Sequence, residues 1–175
     1  MDAKNLAELY DLEPLAWEPV RARLDQGLSM APGTGGPDRH TCWLTTIDRD
    51  GRPHVTGIGA LWLDGSFWFE TGERTRKGRN LARDPRCALS VSTHEFDLVV
   101  DGVAAVDDPQ VVADLCARWA PEWPCSVDES GTALTAEFSA PSAGPPPWKV
   151  YRLTIERATA LQTVAPGGAT RWTFA

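Results

Sequence analysis

The sequence predicts a mainly β domain in which antiparallel strands form a closed or partly closed barrel with a few short helices. Three observations predict it. Two hairpin turns, Asp50-Gly51 and Asp64-Gly65, separate runs rich in β-branched and aromatic residues. Later runs alternate apolar and polar residues with the period of a half-buried strand. No strand is followed by a Gly-x-Gly-x-x-Gly turn, which disfavours a doubly wound nucleotide fold.

Taken in order, residues 3–28 read as two helical pieces broken at Pro14 and Pro19, the first carrying Leu6, Leu9 and Tyr10, the second Val20, Leu24 and Leu28. Residues 31–38 are a loop by composition. Strands follow over Thr41 to Ile47, His54 to Leu63 and Ser66 to Thr71, joined by the two hairpin turns as a meander. A short helix over 76–84 stops at Pro85. Strands resume over Cys87 to Thr93 and Asp97 to Val106, with a bulge or kink expected at Asp101-Gly102. Asp107 or Asp108 followed by Pro109 starts a helix that runs to about Trp119 and buries Val112, Leu115, Cys116 and Trp119. Residues 120–147 are irregular, with Pro145-Pro146-Pro147 extended. A strand over Trp148 to Ile155 continues through Ala158 to Val164, and Thr170 to Phe174 ends the chain. With 175 residues, no repeats and no low-complexity linker, the chain is one domain: a helical arm and loop over 1–37 and a barrel over 38–175.

Composition narrows the function classes. A net charge of -7 argues against general nucleic-acid binding. No apolar run is long enough to cross a bilayer and no leader is apparent, so the expected location is cytoplasmic. Four scattered cysteines suit buried thiols in a reducing compartment, and no spacing places Cys42 beside Cys125. Three separated histidines without a Cys or Asp cluster give no metal site, and no nucleophile elbow occurs. Eight tryptophans suit core, a dimer interface or a flat-ring pocket.

Against this acidic background, Arg74, Arg76, Lys77, Arg79 and Arg83 crowd the start of one short helix. A helix N-terminus already carries partial positive charge, so cations there are misplaced unless an anion joins them. A phosphate would use the helix N–H groups, the planar fork of Arg76, the point charge of Lys77, and the hydroxyls of Thr71 and Thr75. A solvated helix face is the plainer reading of such a charge run. Gly57 and Gly59, two apart on one strand, would share a face and let a flat ring approach the backbone. His54 is better read as structural than catalytic, and no catalytic acid or base is assigned.

The runs Thr46-Ile47-Asp48-Arg49-Asp50-Gly51-Arg52-Pro53-His54-Val55, Trp68-Phe69-Glu70-Thr71, Arg76-Lys77-Gly78-Arg79-Asn80-Leu81 and Asp84-Pro85-Arg86-Cys87-Ala88-Leu89, in this order and spacing, resemble the pyridoxamine 5'-phosphate oxidase-like superfamily. The resemblance implies a six- or seven-stranded antiparallel split β-barrel. It implies an FMN- or coenzyme F420-dependent oxidoreductase acting on a small organic substrate, or a non-catalytic flavin or deazaflavin carrier. It implies a homodimer with cofactor sites at the interface. By position, the phosphate goes to Thr71, Arg76 and Lys77, with Asn80 at the same site and Glu70 among the cofactor-binding residues, and the ring lies along Thr56-Gly57-Ile58-Gly59. Arg171 and Trp172 match a C-terminal pair that closes the ring pocket. The chain departs from the pyridoxamine phosphate oxidases in two places: Thr56 stands where they commonly carry Arg, and their C-terminal Arg-x-His motif has no counterpart.

Overall fold

The computed structural model describes residues 1–30, 36, 39–106, 109–121 and 123–174. Eleven strands alternate with three α-helices: β1 (Asp2–Asn5), α1 (Trp17–Asp25), β2 (Cys42–Ile47), β3 (Pro53–Ile58), β4 (Leu61–Leu63), β5 (Ser66–Thr71), α2 (Arg76–Arg83), β6 (Arg86–Ser92), β7 (Phe96–Val106), α3 (Pro109–Trp119), β8 (Ser126–Val127), β9 (Leu134–Thr135), β10 (Lys149–Gln162) and β11 (Gly168–Thr173). Nine strands form one antiparallel sheet in the order β1-β11-β10-β7-β6-β2-β3, with β5 and β4 branching from β10.

That branch is what splits the barrel. β10 pairs with β7 from Tyr151 to Gln162, but its other edge is shared: Lys149–Leu153 pair with β5, and Arg157–Gln162 pair with β11. The register slips between Ile155 and Arg157, so Glu156 is a bulge at the point where the second partner changes. A bulge increases local twist and re-aims the strand. The irregularity expected at Asp101-Gly102 therefore belongs to the facing strand. Gly102 is needed there because a Cβ would sit 2.0 Å from the Thr154 carbonyl oxygen.

The barrel interior is filled by the inward residues of these strands, among them Leu44, Phe67, Phe69, Leu89, Val100 and Leu153, all fully buried. Phe69 stacks on Tyr151 with ring centroids 5.5 Å apart. α1 closes this core through Leu24 and through Trp17, which packs on Trp62, Trp172 and Phe174. The outer face of β5 and β10 supports a second cluster, where Trp68 and Val150 meet Val112, Leu115 and Trp119 of α3. The four α3 residues expected to be buried are buried. The aspartates expected to start that helix, at 107 and 108, and the loop at 31–38 apart from Gly36, lie outside the described residues.

Three expectations are corrected. The first helical piece is instead β1, paired with β11 (Asp2 opposite Thr173), followed by a 3-10 turn at Glu8–Tyr10; Leu9 and Tyr10 are exposed. Pro19 does not interrupt the second piece, because it lies in the first turn of α1, where its missing N–H has no helical partner to lose. The strand expected over His54 to Leu63 is two strands: β3 pairs with β2, β4 with β5, and the chain leaves one layer for the other at Gly59-Ala60. No helix among the described residues is long and apolar enough to cross a membrane.

Replacing Gly102 by Ala drives a methyl group into the Thr154 carbonyl, so we expect a loss of about 1–3 kcal/mol in urea-induced unfolding, with β7 and β10 unable to keep their register.

Candidate functional site

The start of α2 is built on Thr75. Its backbone is extended and its Oγ1 accepts a bond from Gly78 N at 3.0 Å, a normal N-cap. The same hydroxyl donates to the Gly72 carbonyl at 2.8 Å and lies 2.9 Å from Thr71 Oγ1. Gly78 lets the turn fold this tightly, since a Cβ would stand 2.4 Å from the Gly72 oxygen. α2 carries no acidic residue in its first turn, so compensation for its charge comes from elsewhere in the chain.

It comes from Asp48, in the β2–β3 turn. Arg76 donates from Nε at 2.9 Å and also from Nη2, and Asn80 donates from Nδ2 at 2.9 Å. These bonds hold the Asp48 carboxyl down to about 2. Asn80 also donates to Thr46 Oγ1 at 3.1 Å, which pins α2 on β2. Arg79 and Arg83 are fasteners as well: Arg79 donates to the Arg74 carbonyl at 2.5 Å, and Arg83 to the Ile47 carbonyl.

Arg76 and Lys77, adjacent in sequence, part company in space. Successive helix residues point about 100° apart. Arg76 turns to Asp48 and stays 60% exposed, whereas Lys77 is 3% exposed and donates to the Ser142 carbonyl. Burial lowers the Lys77 pKa, and the nearby Glu70 carboxylate opposes that shift. Ser142 belongs to a turn within residues 120–147, which carry no regular sequence pattern. Ala140 and Gly144 bond each other's backbones in both directions, at 3.2 and 2.7 Å. Trp148 Nε1 donates to the Gly144 carbonyl at 2.8 Å, and Gly72 N donates to the Ala143 carbonyl at 2.9 Å. The turn thus lies across the 71–75 loop and the Lys77 ammonium. No sequence signal could have found it, because the bonds that order it run to distant backbone atoms.

Strand pleating decides where the other candidates face. His54, Thr56 and Ile58 lie opposite Thr46, Leu44 and Cys42 and so point inward with them. His54 Nδ1 is buried without a hydrogen-bond partner, and burial, then the Arg76 charge, lower its pKa. Gly57 points the other way, beneath Trp43: its Cβ would lie 3.7 Å from that indole. Gly59 lies beyond the end of β3 and its Cβ would meet Trp123 at 3.4 Å. The two glycines therefore do not share a strand face. Glu70 and Thr71 also diverge: Thr71 is buried on the α2 side, while Glu70 points to the second cluster. Glu70 as a residue is only partly buried, yet its Oε2 is sealed from solvent and has no partner. Its desolvation pushes the carboxyl up to about 7. Trp172 is core, 5.2 Å from Trp17, and Arg171 is exposed on β11 opposite Lys4.

One cradle thus gathers Thr71, Thr75, Arg76, Lys77 and Asn80 around the start of α2, with Asp48 and His54 beside it. Two cations, two hydroxyls and a helix N-terminus fit a phosphate. To hold one, Arg76 would exchange Asp48 for a phosphate oxygen and Lys77 would release the Ser142 carbonyl.

The family profile for pyridoxamine 5'-phosphate oxidase matches residues 36–162 of this chain. A pyridoxine/pyridoxamine 5'-phosphate oxidase of Burkholderia lata is 28% identical over 150 residues, covering 75% of this chain and 70% of the relative. The enzyme of the same name from Bacteroides thetaiotaomicron is 37% identical over 68 residues, which span 37% of this chain and only 32% of that relative. Among solved structures, a conserved hypothetical protein from Mycobacterium tuberculosis superposes with a TM-score of 0.56 at 21% identity, covering 83% of this chain and 84% of that one. The last likeness is one of fold.

The Asp48 cluster can be tested by pH. A carboxyl at about 2 in the folded chain, against about 3.9 when unfolded, contributes stability above the unfolded value and loses it as pH falls through the folded one. Asp48→Asn should therefore melt below the wild type at pH 6, with the gap closing as pH falls from about 4 to about 2.

Proposed function

Because the chain belongs to the pyridoxamine 5'-phosphate oxidase family, we propose that it is an oxidoreductase that binds FMN or coenzyme F420 and acts on a small organic substrate. The observation that carries this reading is the cradle at the start of α2. It collects phosphate-binding groups of which Arg76 and Asn80 are engaged by Asp48.

In this reading Arg76 and Lys77 grip the phosphate from two sides, Thr71 and Thr75 add hydroxyls, and the first N–H groups of α2 supply a partial positive charge. Asn80 keeps the helix start in place through Thr46. The ring follows β3 past Thr56 to Ile58. Gly57 gives that strand an open outer surface, where Trp43 is the neighbouring aromatic. A bound flavin or deazaflavin would supply the hydride chemistry, and the protein supplies orientation and a dry wall. His54, kept neutral near pH 7 by burial, can offer or accept a hydrogen bond beside the phosphate without adding charge. Thr56, in place of the Arg common among pyridoxamine phosphate oxidases, supports a substrate other than pyridoxamine phosphate.

The dimer is part of the same proposal. Trp43, Val55, Val99 and Leu161 are each about half exposed and all lie on the outward face of neighbouring strands. Exposed apolar side chains gathered on one sheet face suit an interface between copies.

Binding, turnover and light scattering test this reading. Titration with FMN and with coenzyme F420, side by side, should give saturable binding to one of them, and turnover with a substrate separates an enzyme from a carrier. Arg76→Ala with Lys77→Ala removes charge-assisted bonds worth about 1.5–3 kcal/mol each, so affinity should fall at least about tenfold; unchanged affinity overturns the phosphate assignment. In light scattering the wild type should be a dimer at micromolar concentration and Trp43→Glu a monomer. A monomeric wild type removes the interface.

A further inference from the structure

On the outer face of β5, away from the cradle, three groups that the proposed chemistry does not use come together. Cys116 of α3 and Cys125, just before β8, are nine residues apart, a spacing that carries no motif. Their Sγ atoms lie 3.2 Å apart, and Cys116 Sγ also lies 3.3 Å from the Cys125 carbonyl oxygen. Both are free thiols. Cys125 is the more exposed and lines a cavity of about 20 Å3, the size of one water. Glu70, whose Oε2 has no partner, lines the same cavity, together with Trp119 and Trp123.

We propose that Cys116 and Cys125 are a redox-active dithiol that closes to a disulfide under hydroperoxide, with Glu70 as the proton acceptor for Cys125. This is independent of what the cradle binds. The two sulfurs need to approach by only about 1 Å to reach bonding distance. Cys42 and Cys87 are otherwise placed, on β2 and β6 in the main core.

The chemistry balances with hydroperoxide as oxidant. Cys125 gives its proton to Glu70, directly or through a water of the cavity. The thiolate attacks the peroxide; an S–O bond forms, the O–O bond breaks, and the leaving oxygen departs as water or alcohol with the proton from Glu70. Cys125 is then a sulfenic acid. Cys116 Sγ attacks it; the S–S bond forms, the S–O bond breaks, and a second water leaves with the Cys116 proton. Two thiols are oxidised by two electrons and one peroxide is reduced. Burial, then the adjacent Cys116 and the charge of Glu70, hold the Cys125 thiol up to about 12, so thiolate is scarce without a base. Glu70, with its carboxyl at about 7 in the same cavity, takes the Cys125 proton uphill and only as the sulfur attacks the peroxide, which keeps the reaction slow. The reaction is thus a slow response to oxidant rather than a peroxidase cycle, and its product ties the end of α3 to the segment that carries Trp123 against Gly59.

Peptide mapping of the intact, native protein tests this. After exposure to a small excess of hydrogen peroxide and alkylation under denaturing conditions, we expect Cys116 and Cys125 in one intramolecular cross-linked species that has lost two hydrogens, with Cys42 and Cys87 recovered as alkylated thiols. Recovery of Cys116 and Cys125 as thiols, arrest at sulfinic acid, or cross-links between chains would overturn the proposal. Glu70→Gln, which keeps the side-chain shape, should slow disulfide formation by roughly tenfold or more while Cys116→Ser abolishes it. A Glu70→Gln rate equal to the wild type overturns the role of Glu70.

Discussion

Everything in this molecule hangs on one strand having three partners. β10 gives one edge to β7 from Tyr151 onward and divides the other between β5 and β11. Without the bulge at Glu156, the side chains on the two halves would stay in one pleat, and β5 and β11 would compete for one continuous ladder. With it, β5 leads into the layer that ends in the cradle, and β11 leads back to β1 and the α1 plug. The close approach of Gly102 to Thr154 is the local cost of that geometry. Because β5 has a core on each face, its residues serve two sites in alternation: Thr71 the cradle, Glu70 the dithiol cavity.

Electrostatics around α2 follows the same economy. A cationic helix start without an acidic first turn would be poor on its own. Asp48 neutralises Arg76 from one side, and backbone carbonyls receive Lys77 and Arg83. The chain thereby keeps a phosphate-like arrangement of acceptors around these donors. These donors are thus satisfied within the chain itself.

The legible parts of the chain were those decided locally. Asp50-Gly51 and Asp64-Gly65 announce hairpins through residues that accept positive φ, and the second pair has it at both positions. Pro109 places the start of α3 and Thr75 that of α2. What could not be read is decided at a distance. β1 exists because β11 offers an unpaired edge, which no helical periodicity at Leu6 and Leu9 reveals. The turn at 140–144 is ordered by Gly72, Lys77 and Trp148. Within the candidate site, the residue types were legible but their directions were not: Lys77 parted from Arg76, Glu70 from Thr71, and Gly59 from Gly57 through helix rotation, strand pleat and a strand break. Cys116 and Cys125 were visible only as two of four scattered thiols.

The turn that receives Lys77 has a thermodynamic meaning. An anion that claims the Lys77 ammonium competes with the Ser142 carbonyl for one donor. The apparent affinity of such an anion is its intrinsic affinity reduced by the fraction of molecules in which residues 140–144 have let go. By reciprocity, a bound anion raises that fraction, and with it the exposure of the turn to solvent and protease. If the cradle holds an anion as proposed, Lys77 either fastens the chain to itself or fastens that anion, and substitutions in residues 140–148 that loosen the turn around Ser142 would tune how readily it changes partner.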